Sequence, residues 1–182
     1  MRKIADINVL EDKAFQKRLT RLSVVLFCVA LAVSAAICTL MGMGEGGLGV
    51  LGSVLLFVAL LIVPLPVHEL VHALFFKLLC PSCHIHFGWK DAFLYTATDG
   101  AVLTRPRETV VLLAPAVLVT IATFSVGAAA GSPIAACVGA ASHLGGCAGD
   151  ILMAREAWKE PDCAYVKDSD TGIVLLAADE KD

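Results

Sequence analysis

The apolar positions of this chain fall in long unbroken runs rather than in the alternations of a water-soluble fold. Ser23–Met43 and Thr109–Ala130 are each long enough to cross a bilayer, which takes about 20 apolar residues in a helix. Leu48–Leu79 is longer still. Pro133–Ala154 is rich in Gly, Ala and Ser, the small residues that let membrane helices pack closely. These four runs predict four transmembrane helices. Ahead of them, Ile4–Leu22 spaces Ile7, Leu10, Phe15, Leu19 and Leu22 among charges, which predicts an amphipathic helix on the membrane surface. Val33-Ser34-Ala35 has the small residues of a cleavage site, but a polar arm precedes the run and apolar residues continue past it. The first run therefore reads as a retained anchor.

Between the second and third spans the pattern changes to short β-prone stretches. Ala92–Ala97 and Ala101–Thr104 flank Asp99-Gly100, a strong hairpin signal. His84–Trp89 predicts a further strand. Near the end of the chain, Tyr165-Val166 and Ile173–Leu176 flank the turn-forming stretch 168–172. The expected fold is mainly α: a polytopic membrane protein of four transmembrane helices with a small cytoplasmic β-hairpin element. The expected organisation is an amphipathic cytoplasmic arm over 1–22, a membrane domain over 23–154 with a β-rich loop at 80–108, and a cytoplasmic tail over 155–182.

Composition agrees. The chain is 58% hydrophobic, whereas soluble domains lie near 45–50% apolar. The net charge of -3 says little about partners, but no basic stretch is long enough to suggest nucleic acid, and the expected partner is the lipid bilayer. The placement of the basic residues says more than their sum. Arg2, Lys3, Lys13, Lys17, Arg18 and Arg21 precede the first span. Lys77, Lys90, Arg105 and Arg107 lie between the second and third, and Arg155, Lys159, Lys167 and Lys181 follow the fourth. That accounts for all 14, and the connections at 42–47 and 131–132 hold none. The positive-inside rule then places both termini and the middle loop in the cytoplasm of a multi-pass cell-membrane protein.

Within the third run stands His68-Glu69-Leu70-Val71-His72, an H-E-x-x-H motif. On a helix, residues four apart share a face, so two imidazoles can grip one metal. Glu69 can then take a proton from an attacking water. Three ionisable groups this deep in an apolar run are costly unless they serve a site. Catalytic zinc takes three protein ligands. Asp150, His143, His84, His86 and the cysteines are the candidates for the third. At 1.5 Å of rise per residue, His68 lies about 30 Å from Leu48 along its helix, while Asp150 lies about 25 Å and His143 about 15 Å from Pro133. The depth match selects Asp150 and leaves His143 as a hydrogen-bonded core or substrate-side group. Gly145, Gly146 and Gly149 are expected to let this helix approach the motif helix.

Cys80-Pro81-Ser82-Cys83-His84 has the C-x-x-C-H spacing of haem attachment, a redox dithiol or half a structural zinc site; as a sequence it also reads as a helix-ending turn. The other five cysteines read as reduced, small apolar residues.

The order of an apolar run into the motif, a β-rich loop, Leu113-Ala114-Pro115 in a span, and a later Gly149-Asp150-Ile151-Leu152 resembles the small bacterial membrane proteins classed as putative zincin peptidases. Those in turn are similar to the site-2 protease clan of intramembrane metalloproteases. The resemblance covers roughly residues 50–177. It implies zinc held by His68, His72 and Asp150, with Glu69 as general base, and a membrane-associated peptide as substrate. The Asp context departs from the clan's Leu-Asp-Gly, and the clan's substrate-supporting Asn is not evident. The expected function is thus a membrane-embedded zinc metallopeptidase. A non-proteolytic zinc scaffold or sensor, and a thiol-redox or haem protein built on Cys80 and Cys83, are the alternatives. The sequence does not specify an oligomeric state.

Overall fold

A computed structural model of the protein describes residues 1–9, 11–46, 48–90, 93–169 and 171–179. Leu10, Gly47, Ala92 and Lys181, which enter the reading above, lie outside them. The helices are α1 (Lys13–Leu40), α2 (Gly49–Ile62), α3 (Pro64–Leu79), α4 (Arg105–Ala129), α5 (Pro133–Gly146) and α6 (Ala148–Lys159). The strands are β1 (Arg2–Asn8), β2 (Ile85–Lys90), β3 (Phe93–Thr98), β4 (Val102–Thr104), β5 (Cys163–Ser169) and β6 (Gly172–Ala177). Among the described residues, three stretches are long and apolar enough to cross a membrane: α1, α2 with α3, and α4. A fourth exists only if α5 and α6, broken at Cys147, count as one span. Val24, Val29 and Val33 on α1, and Leu51, Val54 and Leu55 on α2, are exposed. In water, aliphatic surface of this extent drives association.

The chain divides into two units. The first holds residues 1–19, 69–115 and 149–182. Its four-stranded sheet runs β1-β6-β5-β4, every pair antiparallel. Along β6, Ile173, Leu175 and Ala177 are buried at the two-residue period of a strand. Ile173 and Leu175 pack with Val166 and Cys163 of β5, and with Met153 and Ala157, one turn apart on α6. A second cluster joins Phe76 of α3, Leu103 of β4 and Val111 of α4.

Two sequence expectations give way in this unit. The arm over 4–22 is not one amphipathic helix. Arg2–Asn8 is a strand paired to β6, and α1 begins only at Lys13. Ile4, Ala5 and Ile7 are drawn onto the sheet's core cluster, so tertiary packing overrides the helical spacing. Asp12 marks the change, its Oδ1 accepting from the N–H groups of Ala14 (2.8 Å) and Phe15 (3.0 Å) as a helix cap. Asp99-Gly100 does turn the chain, with Gly100 at φ +73°, but the strands it joins do not pair with each other. β3 pairs with β2 and β4 with β5. The cause is a buried carboxylate on β5. Asp168 accepts from the Thr98 N–H (2.7 Å) and hydroxyl (2.9 Å), and its own N–H donates to Ala101 O at 3.0 Å. The expected strand at His84–Trp89 is present as β2, and the expected pairing around 168–172 as β5 and β6.

The second unit holds residues 20–68 and 116–148. Its centre is α5, whose Ala135, Ala136, Gly139, Ala140 and Ala141 are buried. Gly139 admits Leu60 of α2 and Thr123 of α4, and Gly127 of α4 admits Ala136. The glycines do not serve the contact expected of them. Gly145 admits α1, where an added Cβ would lie 3.2 Å from Ser23 O, and Gly146 faces open space. Gly149, in the first unit, lies beside Leu19 of α1.

This packing makes a prediction about Gly127. An added Cβ there would lie 2.6 Å from the Ala136 backbone, which cannot rotate away. Gly127→Ala should destabilise by about 1–3 kcal/mol, the scale of overpacking. Gly146→Ala should leave stability near wild type. Thermal unfolding of both variants in the same detergent checks this, and equal melting temperatures would refute it.

Candidate metal centre

Helix α3 carries the motif. Pro64 and Pro66 lie in its first turn, where missing N–H groups cost nothing. His68 and His72 follow one turn apart on one face. The helix passes from the second unit into the first between His68 and Glu69, so the motif contributes to both.

In the first unit, His72 is buried and its Nδ1 lies 3.0 Å from Val111 O on α4. A carbonyl only accepts, so Nδ1 carries the proton, and the ring in its neutral form keeps its lone pair on Nε2. The sequence explains why this carbonyl is available. In an α-helix Val111 O would accept from the N–H of residue 115, and residue 115 is Pro. Pro115 removes the helical donor and His72 supplies another. Nε2 of His72 then lies 3.8 Å from Asp150 Oδ1. That is long for a hydrogen bond. It is close to the ~3.4 Å between two ligands about 2.0–2.1 Å from one tetrahedral ion. The donor set thus fits zinc.

Asp150 comes from the first turn of α6, where the N-terminal end of the helix favours a carboxylate. The depth count from Pro133 assumes one straight helix to Ala154. The chain instead breaks at Cys147, whose N–H reaches the carbonyls of His143 (3.1 Å) and Leu144 (3.2 Å). A rise counted from Pro133 therefore does not carry through to Asp150. The Gly145-Gly146 pair, poor in helix propensity, sits just before the break.

Glu69 is half-buried, and its backbone carbonyl accepts from Thr96 Oγ1 of β3 at 2.9 Å. The β2–β3 hairpin is thereby tied to the motif helix. His86, on β2, is half-buried and lies 3.4 Å from Asp99. Neither His84 nor His86 joins a metal-capable group among the described residues. Cys80 and Cys83 are joined as a disulfide, so neither presents a thiolate. Cys28, Cys38, Cys137, Cys147 and Cys163 are not in disulfides.

In the second unit, His68 Nδ1 lies 3.2 Å from His143 Nε2. His143 is buried, and its Nδ1 lies 2.8 Å from Thr120 Oγ1. Cys147 Sγ approaches both rings. In the sequence the cysteines are candidate ligands and Cys147 reads as a small apolar residue; nothing there singles out Thr120 or the Val111 carbonyl. Only Pro115 offered a signal for the last of these.

Pro115→Ala would restore an N–H that competes with His72 for Val111 O. Zinc affinity should fall about 10–100-fold, the cost of losing a partner that orients a ligating His. Competition with a chelator measures it. Unchanged affinity would show that the Val111 carbonyl does not orient His72.

Residues 60–165 match the protein family described as putative zincin peptidase, which is more than half of the chain. Comparison with curated proteins and with solved structures gives no match.

Proposed function

The chain belongs to the putative zincin peptidase family, and on that premise we propose that it is a membrane-embedded, zinc-dependent peptidase cutting a membrane-associated peptide. The observation that carries this reading is the pairing of His72, its tautomer set by Val111 O, with Asp150 at 3.8 Å. His68, one turn earlier on α3, is the third ligand in this reading. When bound, zinc polarises the scissile carbonyl and makes water a nucleophile near neutral pH. The side chains do the rest. Glu69 accepts the proton of the attacking water and returns it to the leaving amine nitrogen as the C–N bond breaks. Asp150 offsets the charge of the ion, and the two imidazoles bind as neutral donors.

A peptide must be extended to be cut. The β2–β3 pair is two-stranded, so among the described residues no strand pairs with the second edge of either, and on β3 that edge is free of β5 only short of Thr98, whose N–H is held by Asp168. In this reading the substrate adds to β3, whose Thr96 already holds the Glu69 carbonyl, and main-chain hydrogen bonds align it. The membrane assignment rests on the exposed aliphatic helices and on the one-sided placement of the basic residues. It puts both termini and the middle loop on the cytoplasmic side.

Glu69→Gln keeps the shape of the side chain but cannot take a proton at neutral pH. It should retain zinc while cleavage of a membrane-peptide panel falls by about 10²-fold or more. Loss of zinc would make Glu69 a ligand and end the mechanism. Topology is tested separately. Reporter fusions at Gly46 and Ser132 should read the outer side, and fusions after Asp99 and at the C-terminus the cytoplasm. An outward-facing middle loop would reverse the orientation.

A further inference from the structure

We propose that His68, His143 and Cys147 form a second metal seat, for zinc or another thiophilic divalent ion, and that it competes with the hydrolytic set for His68. The proposal rests on the peptidase reading above for that competition, but its geometry lies wholly within residues 20–68 and 116–148. His68 Nδ1 and His143 Nε2 are 3.2 Å apart, Cys147 Sγ is 3.7 Å from His68 Nδ1, and it is 3.9 Å from His143 Nε2. Three ligands of a tetrahedral zinc, two nitrogens at about 2.0–2.1 Å and a sulfur at about 2.3 Å, stand ~3.4 Å (N to N) and ~3.6 Å (N to S) apart. All three edges of the observed triangle lie within a few tenths of an ångström of those values.

The chemistry of the donors points the same way. Two imidazoles and a thiolate suit zinc, cobalt or copper and reject magnesium and calcium. Cys147 is fully buried and His143 nearly so. Thr120 Oγ1, 2.8 Å from His143 Nδ1, can take that proton and leave the Nε2 lone pair for the ion. Cys147 stands at the break between α5 and α6, a position no continuous helix would offer.

Competition follows from the ring itself. A neutral imidazole has one lone pair available in its plane, because its other nitrogen carries a proton. With Nδ1 on the ion beside Cys147, His68 holds a proton on Nε2 and cannot serve His72 and Asp150. An ion in this seat therefore leaves the peptidase without a ligand. The seat is a latent state of the same enzyme, and Cys147 is the residue that holds it there.

The test uses the full chain in detergent, with Co(II) as the probe. Cobalt bound by a thiolate shows an intense near-ultraviolet charge-transfer band, and cobalt bound by nitrogen and oxygen does not. Asp150→Ala disables the hydrolytic set and should still bind one Co(II) per chain with that band. The double variants Asp150→Ala/Cys147→Ser and Asp150→Ala/His143→Ala should lose it. Cobalt bound by Asp150→Ala without the band, or a band that survives Cys147→Ser, overturns the second seat and leaves the peptidase reading standing. Wild type that binds no cobalt at all overturns both.

Discussion

The centre depends on a hydrogen bond that a proline makes possible. Pro115 has no N–H, so the Val111 carbonyl one turn earlier on α4 lacks its helical donor. A carbonyl left unpaired in an apolar interior costs about 1–3 kcal/mol. His72 fills the vacancy at 3.0 Å. The exchange satisfies the carbonyl and fixes the ring, its angle and its tautomer together. It also directs the one basic nitrogen of His72 toward Asp150. A backbone defect in α4 thus becomes the orienting contact of a metal ligand in α3.

The other local features follow from breaking a regular element where a group is needed. Asp150 occupies a helix first turn because the chain breaks at Cys147 rather than running on from α5. The same break brings Cys147 against two imidazoles. On the sheet side, Thr96 reaches from β3 to the Glu69 carbonyl, and Asp168 gathers Thr98 and Ala101. Each is a polar contact between distant parts of the chain, and the first of them holds the motif helix itself.

Much of this was legible in the sequence. The long apolar runs gave the helices, because burial in lipid or protein leaves no polar stripe to obscure them. H-E-x-x-H was readable because a helix converts a spacing of four into one face. β5 and β6 were readable from β-prone stretches around a turn. What failed were inferences that treated local signals as final. The spacing of Ile4 and Ile7 looked helical, yet β6 offered a partner and the segment became β1. Asp99-Gly100 looked like a hairpin turn, yet Asp168, some seventy residues later, took the donors and sent β4 to β5. Depth counted along one straight helix had no means of seeing the break at Cys147. Pro115 was visible, but its meaning required knowing which side chain faced Val111.

The central claim is that the fold presets His72 before any ion arrives. Nitrogen-15 resonances of labelled histidine in the metal-free protein, assigned with a His72→Gln variant, test it most directly. The account predicts a proton on Nδ1 of His72 and an unprotonated Nε2, with added zinc shifting Nε2 while Nδ1 keeps its proton. A metal-free ring protonated on Nε2 alone, or a His72 whose nitrogens do not respond to zinc, would contradict it.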